Sequence, residues 1–268
     1  MTTKGIITGV NGNLITVKFD GAVALNEVGY IKLGDLSLMS EIVRIRGSNA
    51  DMQVFEDTSD IAAGSEVEFT GELLSAELGP GLLKQIFDGL QNPLPGLAEE
   101  FGFFLQRGKY IKALPRDVEW DFTPKAKVGD VLVAGDTLGT VHEVMFEHRI
   151  MVPFILNGRQ TVKSIVSAGS FTVDNTVAVL VDEAGNETEV SMVQRWPVKV
   201  PITCYAERLS PEETMVTQSR TIDTFFPVAL GGTYCIPGPF GAGKTVLQQS
   251  MSRLAQVDIV IYAACGER

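Results

Sequence analysis

The sequence predicts a mixed fold in three parts: a small β-barrel, a β-rich insert, and the beginning of an α/β domain. Strand-like alternation fills the first part, β patterning returns after position 109, and a glycine-rich loop near position 240 precedes helical spacing. The predicted boundaries are 1–72 for the barrel, 73–108 for a linker with a helix, 109–198 for the insert and 199–268 for the α/β part, which we expect to be incomplete.

The barrel prediction rests on residues that alternate between apolar and polar. Ile15, Val17 and Phe19 alternate with Thr16 and Lys18, which is the two-residue period of a half-buried strand. Because closure removes exposed strand edges, a small barrel is the expected arrangement. A hairpin turn is predicted at 11–13, and further strands at 41–46 and 66–70.

The linker is predicted to contain one helix. It would open at 79–81 and end in the proline-rich stretch 92–96. Its apolar face would be formed by Leu82, Leu83, Ile86, Phe87 and Leu90, which recur at helical spacing.

The insert is predicted from renewed strand signals. Val131 and Val133 lie between two Gly-Asp pairs, and Val177, Val179 and Val181 alternate with other residues. A turn at Gly185 and Asn186 is expected to return the chain into a strand over 188–193.

The last part is predicted to form one βαβ unit. A short strand is expected at 233–236, and a continuous apolar run at 259–264 is typical of a strand buried on both faces of a parallel sheet. Between them, Leu247, Met251 and Leu254 mark one face of a helix.

The loop at 238–245 matches the pattern G-x-x-x-x-G-K-[ST], which defines a phosphate-binding P-loop. Its glycines allow successive backbone N–H groups to face one concavity, and the following helix adds partial positive charge. Lys244 would reach the β- and γ-phosphates, and the Thr245 hydroxyl would bind Mg²⁺. The sequence therefore predicts a site for ATP or ADP with Mg²⁺. Its nucleotide-binding residues would be Gly238, Pro239, Phe240, Gly241, Ala242, Gly243, Lys244, Thr245 and Val246.

Glu267 follows the apolar run directly, and two interpretations of it stay open. In a parallel α/β sheet, ligands bind at the carboxyl ends of the strands, so Glu267 would share an edge with the loop. A carboxylate there could orient or deprotonate an attacking water. On position alone, a solvated glutamate in a loop is at least as well supported as this functional role.

The charge of the chain argues against nucleic acid as a partner. The formal net charge is −11, whereas phosphate backbones select for surfaces rich in lysine and arginine. No secretory signal and no membrane-length apolar run is evident, so the sequence predicts a soluble protein that could still attach to a membrane machine.

The cysteines and histidines suggest neither disulfides nor a metal. The three cysteines, Cys204, Cys235 and Cys265, are odd in number and fit a reducing cytoplasm, and the last two are expected to be small buried residues. The pairs His142–Glu143 and Glu147–His148 fit no metalloprotease spacing. A role on the surface or in the core is expected for both histidines.

Several segments closely resemble the catalytic A subunit of rotary ATPases of the V/A type. The similarity is carried by 222–227, 231–233 and the loop at 238–245, by 265–268, and by 79–83 with 86–90. It runs over essentially the whole chain, in the domain order of that family.

The resemblance implies a barrel, an inserted bulge domain and a nucleotide domain, together with coupling of ATP hydrolysis or synthesis to H⁺ or Na⁺ transport. It implies that Lys244 and Thr245 bind phosphate and Mg²⁺, that Glu267 activates water and that Arg268 lies near the γ-phosphate. It also implies alternating non-catalytic B subunits in a hexamer, central and peripheral stalks, a separate membrane sector, and a place on the cytoplasmic face of the membrane.

Two other functions remain open at this stage. A related hexameric P-loop motor, such as an RNA-translocating helicase or an export ATPase, is disfavoured by the acidic charge and by the insert.

Because the family continues for about as many residues again, we expect the chain to be a fragment. It would then act only as a non-catalytic assembly or binding module.

Overall fold

The computed structural model describes residues 3–205 and 207–266. The chain divides into two compact units, Met1–Tyr205 and Ala206–Arg268. No helix among the described residues has both the length and the apolar character that a membrane span requires.

Six antiparallel strands at the start of the first unit close into a barrel, as predicted. Their order around the barrel is β1-β2-β5-β4-β3-β6, and β1 closes the ring by pairing Lys4 with Glu68 of β6. Ile15, Val17 and Phe19 all point into the core, which confirms the alternating pattern. The strands are β1 Lys4–Asn11, β2 Leu14–Asp20, β3 Glu27–Leu33, β4 Leu36–Arg46, β5 Asn49–Val54 and β6 Glu66–Leu73.

The helix predicted at 79–90 is wrong. Lys84 and Gln91 adopt positive φ angles of 62° and 66°, which no α-helix contains. The Asp88 carboxylate accepts hydrogen bonds from the backbone N–H of Leu90 and Asn92 at 2.9 and 2.8 Å, so it forms a turn that competes with the helix. Apolar spacing alone could not reveal this local competition.

A helix begins instead within the stretch predicted to end one. Helix α1 covers Leu94–Phe101, with Pro93 at its N-cap and Pro95 in its first turn. Proline is tolerated there because the first helical N–H groups have no intrahelical acceptor. The prolines that suggested a helix stop therefore mark a helix start.

The insert consists of two four-stranded antiparallel sheets, which confirms its β-rich character. Their orders are β11-β10-β8-β13 and β15-β14-β12-β9. Leu138, Val162 and Leu180 are among the residues that form one core cluster, and Phe122 and Val141 belong to a second. The strands are β8 Glu119–Pro124, β9 Val131–Leu132, β10 Thr137–Glu143, β11 Phe146–Met151, β12 Gln160–Ile165, β13 Gly169–Thr172, β14 Ala178–Val181 and β15 Glu187–Val190.

The predicted valine strand exists, but its buried face differs from the prediction. In β14, Ala178 and Leu180 are buried, whereas Val179 and Val181 are only half-buried. Val177 is fully buried just before the strand begins. Tertiary packing therefore set the face, and the alternation of valines did not.

A two-stranded ribbon lies between the barrel and the insert. Strand β7, Ser75–Leu78, pairs antiparallel with β16, Gln194–Pro197. The chain therefore leaves the barrel and returns from the insert along adjacent strands.

The hairpin between β10 and β11 turns through an unfavourable residue. Val144 has a φ of 58°, a region that β-branched residues avoid. We expect Val144→Asn to raise the free energy of unfolding by about 1 kcal/mol, because asparagine tolerates this conformation. Denaturant unfolding followed by tryptophan fluorescence measures the change, since Trp120 and Trp196 are the two tryptophans of the sequence. Met145→Asn at the neighbouring exposed position is the control, and no gain in Val144→Asn contradicts the prediction.

The second unit contains two short strands and two helices. Strand β17, Thr214–Met215, pairs with β18, Val228–Ala229. Helix α2 covers Arg220–Phe225 and helix α3 covers Lys244–Leu254, which confirms the predicted helix after the glycine-rich loop.

The two strands predicted to flank helix α3 are not present among the described residues. Residues 233–236 and 259–264 have no strand structure, and Ile261 is 91% exposed. A strand in a parallel sheet obtains its hydrogen bonds from neighbouring strands, and neither segment has one within the described part of the chain. The predicted βαβ unit is therefore wrong for these residues.

Candidate functional site

The glycine-rich loop at 238–245 turns sharply into helix α3. Gly241 and Gly243 have φ angles of 78° and 83°, a left-handed conformation that favours glycine. Gly243 is the N-cap of the helix, and its carbonyl accepts the backbone N–H of Leu247 at 3.0 Å. Gly241 and Gly243 of the motif thus stand where the backbone adopts positive φ angles.

The loop is also tightly folded at its start. A Cβ atom on Gly238 would lie 3.1 Å from the Cβ of Ala242, and the backbone N–H of Ala242 donates to the carbonyl of Pro239 at 3.3 Å. Phe240 is fully exposed at the tip, and Val246 is exposed on the first helical turn.

Helix α3 presents the positive end of its dipole to the loop. The first turn contains no acidic residue, and Arg253 lies in the last turn. Aligned peptide dipoles give a helix N-terminus about half a positive charge, which favours anions beside it. The charge near the loop therefore differs in sign from the net charge of the chain.

Lys244 is the first residue of the helix, and its side chain folds back over the loop. Its Nζ donates to the carbonyl oxygens of Gly238 and Pro239 at 2.7 and 2.9 Å. Thr245 follows on the first turn and is half-buried. The structure thus places Lys244 and Thr245 beside the backbone of the loop, while their roles in binding phosphate and Mg²⁺ stay a prediction.

Glu267 and Arg268, the other two predicted catalytic residues, lie outside the described residues. The prediction that Cys235 and Cys265 are small buried residues is wrong, because both are exposed. Neither belongs to a formed strand, so no sheet covers them.

Asp223 of helix α2 lies in a compact turn in the same unit. Its Oδ1 accepts hydrogen bonds from the hydroxyl and the backbone N–H of Thr217 at 2.6 and 3.0 Å. These bonds lower the pKa of the Asp223 carboxyl, because they stabilise its charged form.

The histidine pairs flagged in the sequence lie in the insert. His142 is exposed, whereas Glu143 is buried and hydrogen-bonded by His148. No group of three or more potential metal ligands occurs in the part of the chain that the structure describes. Sequence spacing could not show that Glu143 also contacts residues 81 and 83, some sixty positions earlier.

Three sequence models of one protein family match the chain in succession. The model of the "ATP synthase alpha/beta family, beta-barrel domain" matches residues 7–71, and that of the "ATPsynthase alpha/beta subunit barrel-sandwich domain" matches residues 111–199. The model of the "ATP synthase alpha/beta family, nucleotide-binding domain" matches residues 219–268, which include the whole loop. The chain belongs to the ATP synthase alpha/beta family. The predicted order of barrel, β-rich insert and beginning of a nucleotide-binding domain is thereby confirmed.

Curated relatives support the same assignment across nearly the whole chain. The V-type ATP synthase alpha chain of Treponema denticola is 62% identical over 99% of this chain, and alpha chain 1 of Treponema pallidum is 59% identical over 99%. The alpha chain of Borrelia recurrentis is 59% identical over 100%. The chain spans 45%, 45% and 46% of the lengths of these three relatives.

Proposed function

We propose that this chain is the amino-terminal part of the catalytic subunit of a rotary V/A-type ATPase, which couples ATP hydrolysis or synthesis to H⁺ or Na⁺ transport. The observation that carries the proposal is the loop at 238–245. Its left-handed glycines lead into a helix that begins with Lys244. This loop lies inside the match to the nucleotide-binding domain of the family.

The backbone of 238–246 would bind the phosphates of ATP or ADP. Nζ of Lys244 would exchange its two carbonyl partners for the β- and γ-phosphate oxygens. The hydroxyl of Thr245 would bind Mg²⁺, because a P-loop threonine provides a hard oxygen ligand beside the phosphates. The bound metal supplies a positive charge that stabilises the transferring phosphoryl group.

Glu267 and Arg268 complete the proposed chemistry. Glu267 would orient or deprotonate the attacking water, and Arg268 would lie near the γ-phosphate. Their place, separated by two residues from the apolar run 259–264 and inside the match to the nucleotide-binding domain of the family, supports this.

The proposal includes an assembly around this subunit. Alternating B subunits would complete a hexamer, with central and peripheral stalks and a separate membrane sector, on the cytoplasmic face of the membrane. The names of the relatives, which describe alpha chains of a V-type ATP synthase, support a multi-subunit enzyme. The net charge of −11 gives no support to a nucleic-acid partner.

Substitution of Glu267 in the complete complex tests the catalytic assignment. We expect Glu267→Gln to bind ATP normally but to lose about 100-fold or more of its turnover, because general base catalysis contributes on that scale. ATP binding and phosphate release are measured on the same sample. Asp258→Asn, at an exposed acidic residue nine positions earlier in the sequence, is the control and should retain activity.

A second candidate function is a non-catalytic assembly module. It is favoured by the contrast between the closed barrel and helix α3, in which no residue is buried. Near-normal turnover of the complex with both Lys244→Ala and Glu267→Gln would favour this alternative and refute the catalytic one.

A further inference from the structure

The carboxylate of Glu143 binds three hydrogen-bond donors from two separate parts of the first unit. Glu143 is 2% exposed and ends strand β10 of the insert. Its Oε1 accepts the backbone N–H of Gly81 at 2.8 Å and that of Leu83 at 3.3 Å. Its Oε2 accepts from Nδ1 of His148 on β11 at 2.7 Å. One buried side chain therefore ties residues 79–83 to the insert hairpin.

Residues 79–83, here called the connector, pass very close to the insert. A Cβ on Gly79 would lie 2.7 Å from the carbonyl oxygen of Met192, and a Cβ on Gly81 would lie 2.9 Å from Cδ of Pro115. Gly81 also has a φ of 103°, which only glycine adopts readily. The connector thus packs so closely against the insert that only glycine fits at these two positions, and the backbone N–H groups of Gly81 and Leu83 both donate to Glu143.

The ribbon of β7 and β16 leads directly into the connector. Two strands alone form a weak structure, so this ribbon can bend unless other contacts restrain it. A second tie lies on the same strand, where Arg116 contacts both carboxylate oxygens of Glu77 at 2.8 Å and Oδ1 of Asp174 at 3.1 Å. This second tie does not involve Glu143 and stays in place when Glu143 is replaced.

We propose that Glu143 and His148 form a latch that fixes the connector on the insert and so sets the orientation of the insert relative to the barrel. With the latch broken, the connector loses its contacts with the insert hairpin, and the insert gains motion about the ribbon of β7 and β16 within the limits that the Arg116 tie still sets, while both folded cores persist. The latch involves no nucleotide chemistry, so its failure and that of the proposed function are distinguishable.

Amide hydrogen exchange on the complete subunit tests the latch locally. We expect Glu143→Ala to accelerate exchange at Gly81 and Leu83 by about 10- to 100-fold, because their buried acceptor is lost. His148→Ala should give a smaller acceleration, since both backbone contacts to Glu143 remain. Glu147→Ala is the matched control, because Glu147 lies on the same hairpin, is exposed, and contacts only Lys125 at 4.0 Å among the ion pairs of the described residues.

A distance measurement tests the swing. Spin labels at the exposed positions Lys18 of the barrel and Glu183 of the insert, in a background without the native cysteines, should give one narrow distance in the wild type and in Glu147→Ala. Glu143→Ala should broaden that distribution. Glu143→Gln keeps the shape of the side chain and one acceptor oxygen, so it provides a folded variant with a weaker form of both effects.

Two results overturn the proposal. One is unchanged exchange at Gly81 and Leu83 together with an unchanged distance in both Glu143 variants. The other is acceleration spread evenly over the strands of the barrel and insert, because that pattern shows that Glu143 stabilises the whole fold and restrains no hinge.

Discussion

Replacing Lys244 with alanine in the complete subunit is expected to lower ATP turnover by at least about 100-fold and to weaken nucleotide binding. The lysine is the only charged residue of the loop at 238–245. Its Nζ lies within hydrogen-bond distance of the carbonyls of Gly238 and Pro239, so the ammonium is held directly over the loop. Removal takes away the positive charge that would neutralise the terminal phosphates, while the loop glycines keep the backbone shape. Steady-state hydrolysis and fluorescent-nucleotide titration of the assembled complex measure both effects.

Arg253→Ala is the matched control for this substitution. Arg253 lies on the same helix but in its last turn, and it is exposed. We expect it to leave turnover within about threefold of the wild type, since exposed charges away from a site contribute little. If Arg253→Ala and Lys244→Ala reduce activity equally, the loss reflects damage to the helix, and the proposed phosphate role of Lys244 is wrong.

Phe69→Ala is expected to destabilise the barrel by about 3–5 kcal/mol, the usual cost of removing a buried aromatic ring. Phe69 is 1% exposed, and its ring centroid lies 6.0 Å from that of Phe19 across the core. The close-packed barrel cannot collapse fully into the space, so both transfer and cavity costs apply. The two tryptophans, Trp120 and Trp196, lie outside the barrel, so hydrogen exchange of β3 and β6 is the suitable measurement.

Ile6→Ala provides the corresponding surface control within the barrel. Ile6 lies on β1 and is 47% exposed, so its truncation should cost less than about 1 kcal/mol. A Phe69→Ala barrel whose exchange rates match those of Ile6→Ala would show that the ring contributes little to the core.

The barrel was predictable because the alternation of apolar and polar residues within each strand is a local feature of the sequence. In β2, the alternation of Ile15, Val17 and Phe19 shows directly which side faces inward, and a single slip would expose all three. The linker was not predictable in this way. Its apolar residues have helical spacing, yet the side chain of Asp88 and the left-handed conformation of Lys84 set a different path.

The run at 259–264 shows the other limit of sequence reasoning. Its composition is that of a buried strand, but a strand forms only with a hydrogen-bonded neighbour, and the described residues provide none. The apolar composition therefore shows that the segment suits a buried strand, but it does not show whether a neighbouring strand is there to pair with it.

The candidate site divides along the same line. The loop at 238–245 can be recognised from the sequence because its glycines and its lysine lie within eight consecutive residues. The glycines let the backbone turn, and the lysine supplies a positive charge for phosphate. The contacts of Glu143 are different, since its partners Gly81 and His148 are brought together only by folding. The sequence offered Glu143 only as part of a histidine–glutamate pair that fits no metalloprotease spacing, and it could not reveal what Glu143 binds.

The closed order of the barrel has a consequence for how the protein is made. Lys4 pairs with Glu68, so the first strand of the nascent chain stays unpaired on one side until the sixth strand leaves the ribosome. During that interval β1 and β3 both present open edges, and open edges are templates for pairing with another chain. The emergence of β6 ends this exposure at both edges at once, because it pairs with β1 on one side and with β3 on the other.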